Sequence, residues 1–227
     1  MKSACLALCL TVFVAVSSYA DDEGTHLFIL SGQSNMAGLN PDLSFTPTVN
    51  EAFGEDNVIV VKSAQGGQPI RRWYRGWAPE GGEVPDNNGD LYDRLMGVVR
   101  PAIEGREIAS VTFVWMQGER DARESHGGVY ADALIGLHAQ LEEDLERDDI
   151  HFVIGRLSDF DNDNARYPHW TRVREAQVQV GESSDDFAWV DTDDLNGNND
   201  GLHYNREGYV TLGTRFAEAA IELVQGE

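Results

Sequence analysis

The 227-residue chain predicts an open α/β fold in which a parallel sheet is covered by helices on both faces. Three observations carry that expectation: five short apolar runs, helical stripes between them, and no internal repeat or long linker dividing the chain. The runs are "HLFIL" (26–30), "NVIVV" (57–61), "VTFVW" (111–115), "HFVIG" (151–155) and "FAWV" (187–190). Each is rich in β-branched or aromatic residues and apolar at successive positions, the pattern of a strand buried on both faces. After the third run, Tyr130, Leu134, Leu137, Leu141 and Leu145 recur at helical spacing, with Glu142, Glu143, Asp144 and Glu146 filling the other side. A similar stripe, Tyr209, Leu212, Phe216, Ala219 and Leu223, follows the last run, and weaker helical patterns cover 91–103 and 170–180. Strand and helix in regular alternation place an active site at the carboxyl ends of the strands.

The first 20 residues read as an export signal. Lys2 precedes an uncharged stretch over 3–20 that ends in Ser18-Tyr19-Ala20, so cleavage is expected after Ala20, leaving one domain over 21–227 that is secreted or periplasmic. An uncleaved stretch of that length also fits a minimal membrane tether. Both cysteines, Cys5 and Cys9, fall inside the signal, so the exported chain has no disulfide framework, no thiolate nucleophile and no Cys metal ligand. The formal net charge of −22 disfavours nucleic acid and, after signal cleavage, an anionic membrane as partners, since both would be repelled. Oligomeric state is not encoded in any of these features.

Chemistry enters with "GQSNMAG", where Ser34 follows the first strand and sits where a helix begins. The motif is not the nucleophile elbow G-x-S-x-G, because position 36 is Met, and alone it fits a structural turn or a phosphate cradle as well as a nucleophile. A serine nucleophile needs a base, and the base an orienting acid. Of six histidines, His203 stands out: Asp200-Gly-Leu-His203 sets a carboxylate three residues before an imidazole, ahead of the final helix. Acyl transfer also needs donors for the developing oxyanion. Gly66-Gly67 follows the second strand and Gln117 the third, so reactive residue types gather at strand ends that a parallel sheet brings to one edge.

These pieces, "GQSNMAG", "QGGQPIRRW", "WMQGERD" and "DGLH", resemble in order the SGNH (GDSL-like) hydrolases, and more closely their sialate O-acetylesterase-like branch, which includes carbohydrate esterase family six. The resemblance implies a flavodoxin-like α/β/α three-layer sandwich with a mostly parallel five-stranded sheet, and an enzyme that removes acetyl groups from carbohydrate hydroxyls with no metal and no cofactor. Carried over by position, Ser34 is the nucleophile, His203 the general base and Asp200 its partner. The N–H groups of Ser34 and Gly67 with the amide of Gln117 form the oxyanion hole, and Glu119 is a hydrogen-bonding support behind them. Many relatives have less basic residues between the Gly-Gly and the Trp, so Arg71 and Arg72 either meet a carboxylate or sulfate on the sugar or pair with a local acid such as Asp93 or Glu119, and Trp73 or Trp77 either offers the sugar a flat apolar face or packs to hold the loop.

Three rival readings fit less of the sequence. Calcium could use "DTDDLNGNND" or "DFDNDN", but neither carries the spacing of an EF-hand loop. A non-catalytic carbohydrate-binding domain would not need Ser34, Asp200 and His203 together. A lipid esterase would need an apolar lid, and the loop after the second strand is charged and aromatic instead.

Overall fold

The computed structural model describes residues 24–197 and 200–226. The expected export signal over 1–20 lies outside the described residues.

Five strands form one all-parallel sheet: β1 (Thr25–Gly32), β2 (Val58–Ala64), β3 (Ile108–Met116), β4 (Ile150–Gly155) and β5 (Phe187–Val190). Each apolar run became a strand. Their order, β2-β1-β3-β4-β5, is the flavodoxin-like arrangement, in which the chain reverses its direction of growth at β1. β1 is buried along its whole length, as its uninterrupted apolar sequence requires, and the crevice beyond its carboxyl end is the topological switch point.

Helices cover both faces. On one side α2 (Phe45–Phe53) packs against α7 (Arg206–Gln225), and α7 lies across β3, β4 and β5. On the other, α3 (Asp90–Ile103) covers β1 and β2, while α5 (Tyr130–Leu145) and α6 (Trp170–Gly181) pack together over β4. Rings fill both layers. Phe28 meets Phe45 edge-on at 5.6 Å on the α2 side, while Phe113 stacks on Phe152 at 5.3 Å.

The helical stripes predicted over 130–145 and 209–223 are α5 and α7. Sequence reading missed α2, where Pro47 in "FTPTVNEAF" reads as a breaker; in the structure it occupies the first turn, where the missing N–H has no intrahelical partner to lose. Among the described residues no helix is long and apolar enough to cross a membrane.

Candidate active site

The corner after β1 is set by Gly32. Its φ of 141° is open to glycine, and a Cβ there would stand 2.0 Å from the Met116 carbonyl oxygen on β3. Beyond it the Gln33 N–H donates to that same carbonyl at 2.9 Å, and Ser34 opens the five-residue helix α1 (Ser34–Gly38). Ser34 is half-buried, and its own N–H belongs to the first turn, where no intrahelical acceptor exists. The other end of α1 is held by Lys62 of β2, whose ammonium donates to the carbonyls of Met36, Ala37 and Leu39. Burial pushes the Lys62 pKa down, opposed by the charge of Asp42.

Asp200 and His203 form a closed turn at the same edge. One carboxylate oxygen of Asp200 accepts from the N–H groups of Leu202 and His203, both at 3.0 Å, and the other lies 2.6 Å from His203 Nδ1. These hydrogen bonds from His203, backbone first and ring second, hold the Asp200 carboxyl down at about 2. With Nδ1 engaged by Asp200, Nε2 is the ring's remaining nitrogen. Asn35, next to the serine, ties the two halves together: its Nδ2 donates to the Leu202 carbonyl at 3.2 Å and to Glu119 at 3.1 Å, and its Oδ1 accepts from Tyr209 at 3.2 Å.

Ser34, His203, Gly66, Gly67 and Glu119 line one cleft of about 320 Å³. Gly67 has φ +69°, which favours glycine, and a Cβ on Gly66 would lie 3.6 Å from that of Ser34. Glu119 begins helix α4 (Glu119–Arg123) and is only 2 % exposed. Burial lifts its carboxyl to about 7, against the lowering effects of its own backbone N–H, the His203 charge and the Asn35 amide.

Gln117 sits behind this cleft. It is fully buried, and its amide nitrogen faces three acceptors, Asp121 at 2.6 Å, the Gln68 carbonyl at 3.0 Å and Gln33 Oε1 at 3.2 Å, more than its two hydrogens can serve. The side chain expected to donate to an oxyanion therefore donates into the protein. The amide that does reach the serine is that of Gln33. Its Oε1 accepts from the Arg120 N–H at 3.1 Å, which fixes the amide's orientation and leaves Nε2 3.4 Å from Ser34 Oγ. Asp121, fully buried, accepts from the Ile70 N–H at 2.8 Å as well as from Gln117, so one carboxylate anchors both the Gly67 loop and the third strand end. Sequence reading assigned no role to Gln33, Asn35 or Asp121, although all three lie inside the motifs it selected.

The residues expected to meet the sugar lie elsewhere. Arg72 is held by Asp90 and, at 2.7 Å, by Gln68, while Arg71 pairs with Asn87. Trp73 is fully buried edge-on against Trp115 at 5.2 Å, and Trp77 packs on His126 at 5.0 Å. None of Arg71, Arg72, Trp73 and Trp77 lines the cleft: Arg71 and Arg72 face Asn87 and Asp90, and the two tryptophans are buried in the core. The cleft instead presents Arg120, Arg123 and Tyr167. The acidic stretches have local partners: Asp191 and Asp193 pair with Arg156, Asp193 also with Arg174, and Asp194 with Arg215. Asp161 accepts from the N–H groups of Arg166 and Tyr167.

Comparison with known proteins agrees with the fold. The family model described as SASA, carbohydrate esterase, sialic acid-specific acetylesterase, matches residues 37–222, beginning just past Ser34. A probable carbohydrate esterase of Arabidopsis thaliana is 26 % identical over 201 residues, covering 87 % of this chain and 68 % of its own. Among solved structures, an Arabidopsis thaliana protein superposes with a TM-score of 0.70 at 22 % identity, over 88 % of this chain and 98 % of that one. A carbohydrate acetylesterase of Xanthomonas citri gives 0.67 at 16 % identity over 88 % of this chain, which spans 57 % of that protein. An aryl esterase of M. smegmatis gives 0.55 at 14 % identity, over 88 % of this chain and 99 % of that one.

Proposed function

The chain belongs to the sialic acid-specific acetylesterase family of carbohydrate esterases, and from that premise we propose that it removes O-acetyl groups from sugar hydroxyls through an acetyl-enzyme on Ser34. The observation that carries this reading is the Asp200–His203 pair, joined at 2.6 Å, opening onto the cleft that Ser34 lines. Asp200 holds Nδ1, so Nε2 of His203 takes the proton from Ser34 Oγ as the oxygen attacks the acetyl carbonyl. The negative charge that develops on the carbonyl oxygen is met by the N–H groups of Ser34 and Gly67 and by Gln33 Nε2, the last taking the place expected of Gln117. His203 then gives the proton to the departing sugar oxygen, which leaves as a hydroxyl, and the same groups, run in reverse with water, release acetate. No step requires a metal or a cofactor.

Partners follow from the same reading: the substrate is an acetylated carbohydrate such as xylan or an O-acetyl sialoside, and the chain is exported after cleavage at Ala20. The test is hydrolysis of p-nitrophenyl acetate and of acetylated oligosaccharides by the purified protein, with Ser34→Ala as control. Acetate release that disappears in Ser34→Ala, with an acetylated Ser34 peptide trapped by acid quench of the wild type, supports the proposal. Undiminished turnover in Ser34→Ala refutes it. N-terminal sequencing of protein recovered from culture medium or periplasm tests the export step.

A further inference from the structure

The mouth of the cleft holds two cations in a chain whose net charge is −22. They differ in kind. Arg120 is already engaged: its guanidinium contacts Glu124 one helical turn on at 2.6 Å, so its charge is balanced locally. Arg123 is exposed, and no ion pair, hydrogen bond or ring contact joins its side chain to another described residue. Elsewhere Arg72, Arg75, Arg147, Arg156, Arg174 and Arg215 are paired with acids, and Arg172 and Arg206, which have no ion pair among the described residues, do not line this cleft. An acidic protein that leaves one arginine uncommitted at its catalytic cleft has a local positive charge whose natural counter-ion is a ligand.

The position of Arg123 is fixed by the helix. Glu119 and Arg123 are four residues apart, so they project from the same face of α4 and both reach the cleft, Glu119 at its floor and Arg123 at its rim. The cleft is also lined by Tyr167. Its backbone N–H donates to Asp161 at 2.7 Å, and its ring is wedged edge-on against Phe160 at 5.7 Å and Trp170 at 5.3 Å. A half-buried aromatic ring held from behind gives a sugar ring an apolar surface, while a guanidinium at the rim reads an anion in two-pronged fashion. The acids nearest the chemistry, Asp200 and, once ionised, Glu119, would repel such a substrate were Arg123 absent.

We propose that Arg123, with Tyr167, is the specificity element of the cleft and selects acetylated sugars that carry an anionic substituent, a carboxylate or a sulfate, close to the ester. This rests on the acetylesterase reading above and adds to it the charge of the sugar. It transfers to Arg123 a role that the sequence pattern suggested for Arg71 and Arg72, which the structure shows facing Asn87 and Asp90.

The test compares kcat/KM for O-acetylated oligogalacturonides, O-acetylated sulfated oligosaccharides and neutral O-acetylated xylo-oligosaccharides in the wild type, Arg123→Gln, Arg123→Lys and Arg120→Gln. The wild type is expected to favour at least one anionic series, with a KM that rises with salt on that series alone. Arg123→Gln should cut that preference about tenfold, roughly one charge-assisted hydrogen bond, through KM rather than kcat. Arg123→Lys should retain part of it, keeping the charge and losing the planar fork. A preference for the carboxylate series over the sulfated one, or the reverse, names the anion. If the wild type hydrolyses every series with no anionic preference, or the preference survives Arg123→Gln and falls only in Arg120→Gln, the proposal is overturned while the esterase reading stands. If the wild type hydrolyses no acetyl ester at all, the esterase reading itself falls.

Discussion

Replacing Glu119 with glutamine should stabilise this protein above neutral pH and leave it little changed in mild acid. Glu119 is only 2 % exposed, and one oxygen, Oε1, is paired with Asn35 while the other has no hydrogen-bond partner among the described residues. Burial moves its carboxyl from 4.5 to about 7. At ~1.4 kcal/mol per pKa unit the ionised form costs the folded protein about 3 kcal/mol. The sign follows from which state holds the proton. Below the unfolded value both states are protonated and nothing is lost. As pH rises towards 7 the unfolded chain releases a proton that the folded chain keeps, so the wild type loses stability through that window and stays at the lower value above it. In Glu119→Gln the new amide is a neutral shape-match for the protonated acid and still accepts from Asn35 through its carbonyl, so the variant escapes the loss. For a domain of this size ~1 kcal/mol moves Tm by roughly 2–4 °C, which sets the expected gain of Glu119→Gln near pH 8 at about 6–12 °C, against almost none near pH 4.5. Thermal unfolding followed by circular dichroism at the two pH values measures it directly. A Tm difference of the same size at both would refute the reasoning, because a group that titrates between them must make the difference grow.

Other outcomes follow from the same geometry. Gln33→Leu should lower kcat on p-nitrophenyl acetate by about 10²-fold with little change in KM, since a donor to the oxyanion acts in the transition state; a loss confined to KM would remove Gln33 from that role. Asp200→Asn should cost about 10³–10⁴-fold in kcat by presenting the wrong hydrogen-bonding pattern to Nδ1, and activity near that of the wild type would show that His203 needs no carboxylate. Gly32→Ala should yield insoluble or grossly destabilised protein, because its Cβ would meet the Met116 carbonyl oxygen at 2.0 Å on a backbone with φ 141°. Trp73→Leu should lower stability by about 3 kcal/mol in urea unfolding and leave KM for acetylated sugars unchanged, the reverse of what a sugar platform would do.

The fold was legible because its signal is one-dimensional. A strand covered on both faces must be apolar at successive residues, and β1, β3 and β4 are read directly from that requirement. Helix α2 was not legible, since Pro47 reads the same whether it stops a helix or opens one. That Ser34, Gly67 and His203 share one cleft was legible for a similar reason: they stand just past strand ends or ahead of the last helix, and a parallel sheet brings strand ends together. What spacing could not show is the direction of an amide. Gln33 and Gln117 carry the same group; only the Arg120 N–H that claims one oxygen, and the Asp121 carboxylate that claims the other nitrogen, decide which of them faces Ser34. Which of the two readings of Arg71 and Arg72 holds was not legible for a related reason, because their partners Asn87 and Asp90 come from a loop and a helix start with no signal of their own.

Helix α4 shows why so short a motif organises so much. Successive residues of a helix turn by about 100°, so in Glu119–Arg123 the side chains two apart diverge and those four apart align. Glu119 accordingly reaches the Asn35 amide, and through Asn35 the carbonyl of Leu202 beside His203. Asp121 turns away to the Ile70 N–H and fixes the loop that carries Gly67. Arg123 returns to the first face and stands at the rim. One turn of helix thus holds the His203 turn, the Gly67 loop and the Arg123 guanidinium in a fixed relation. A change in its register would disturb catalysis and selectivity together, whereas a change at Arg123 alone can alter which sugar is accepted without moving the groups that cleave it.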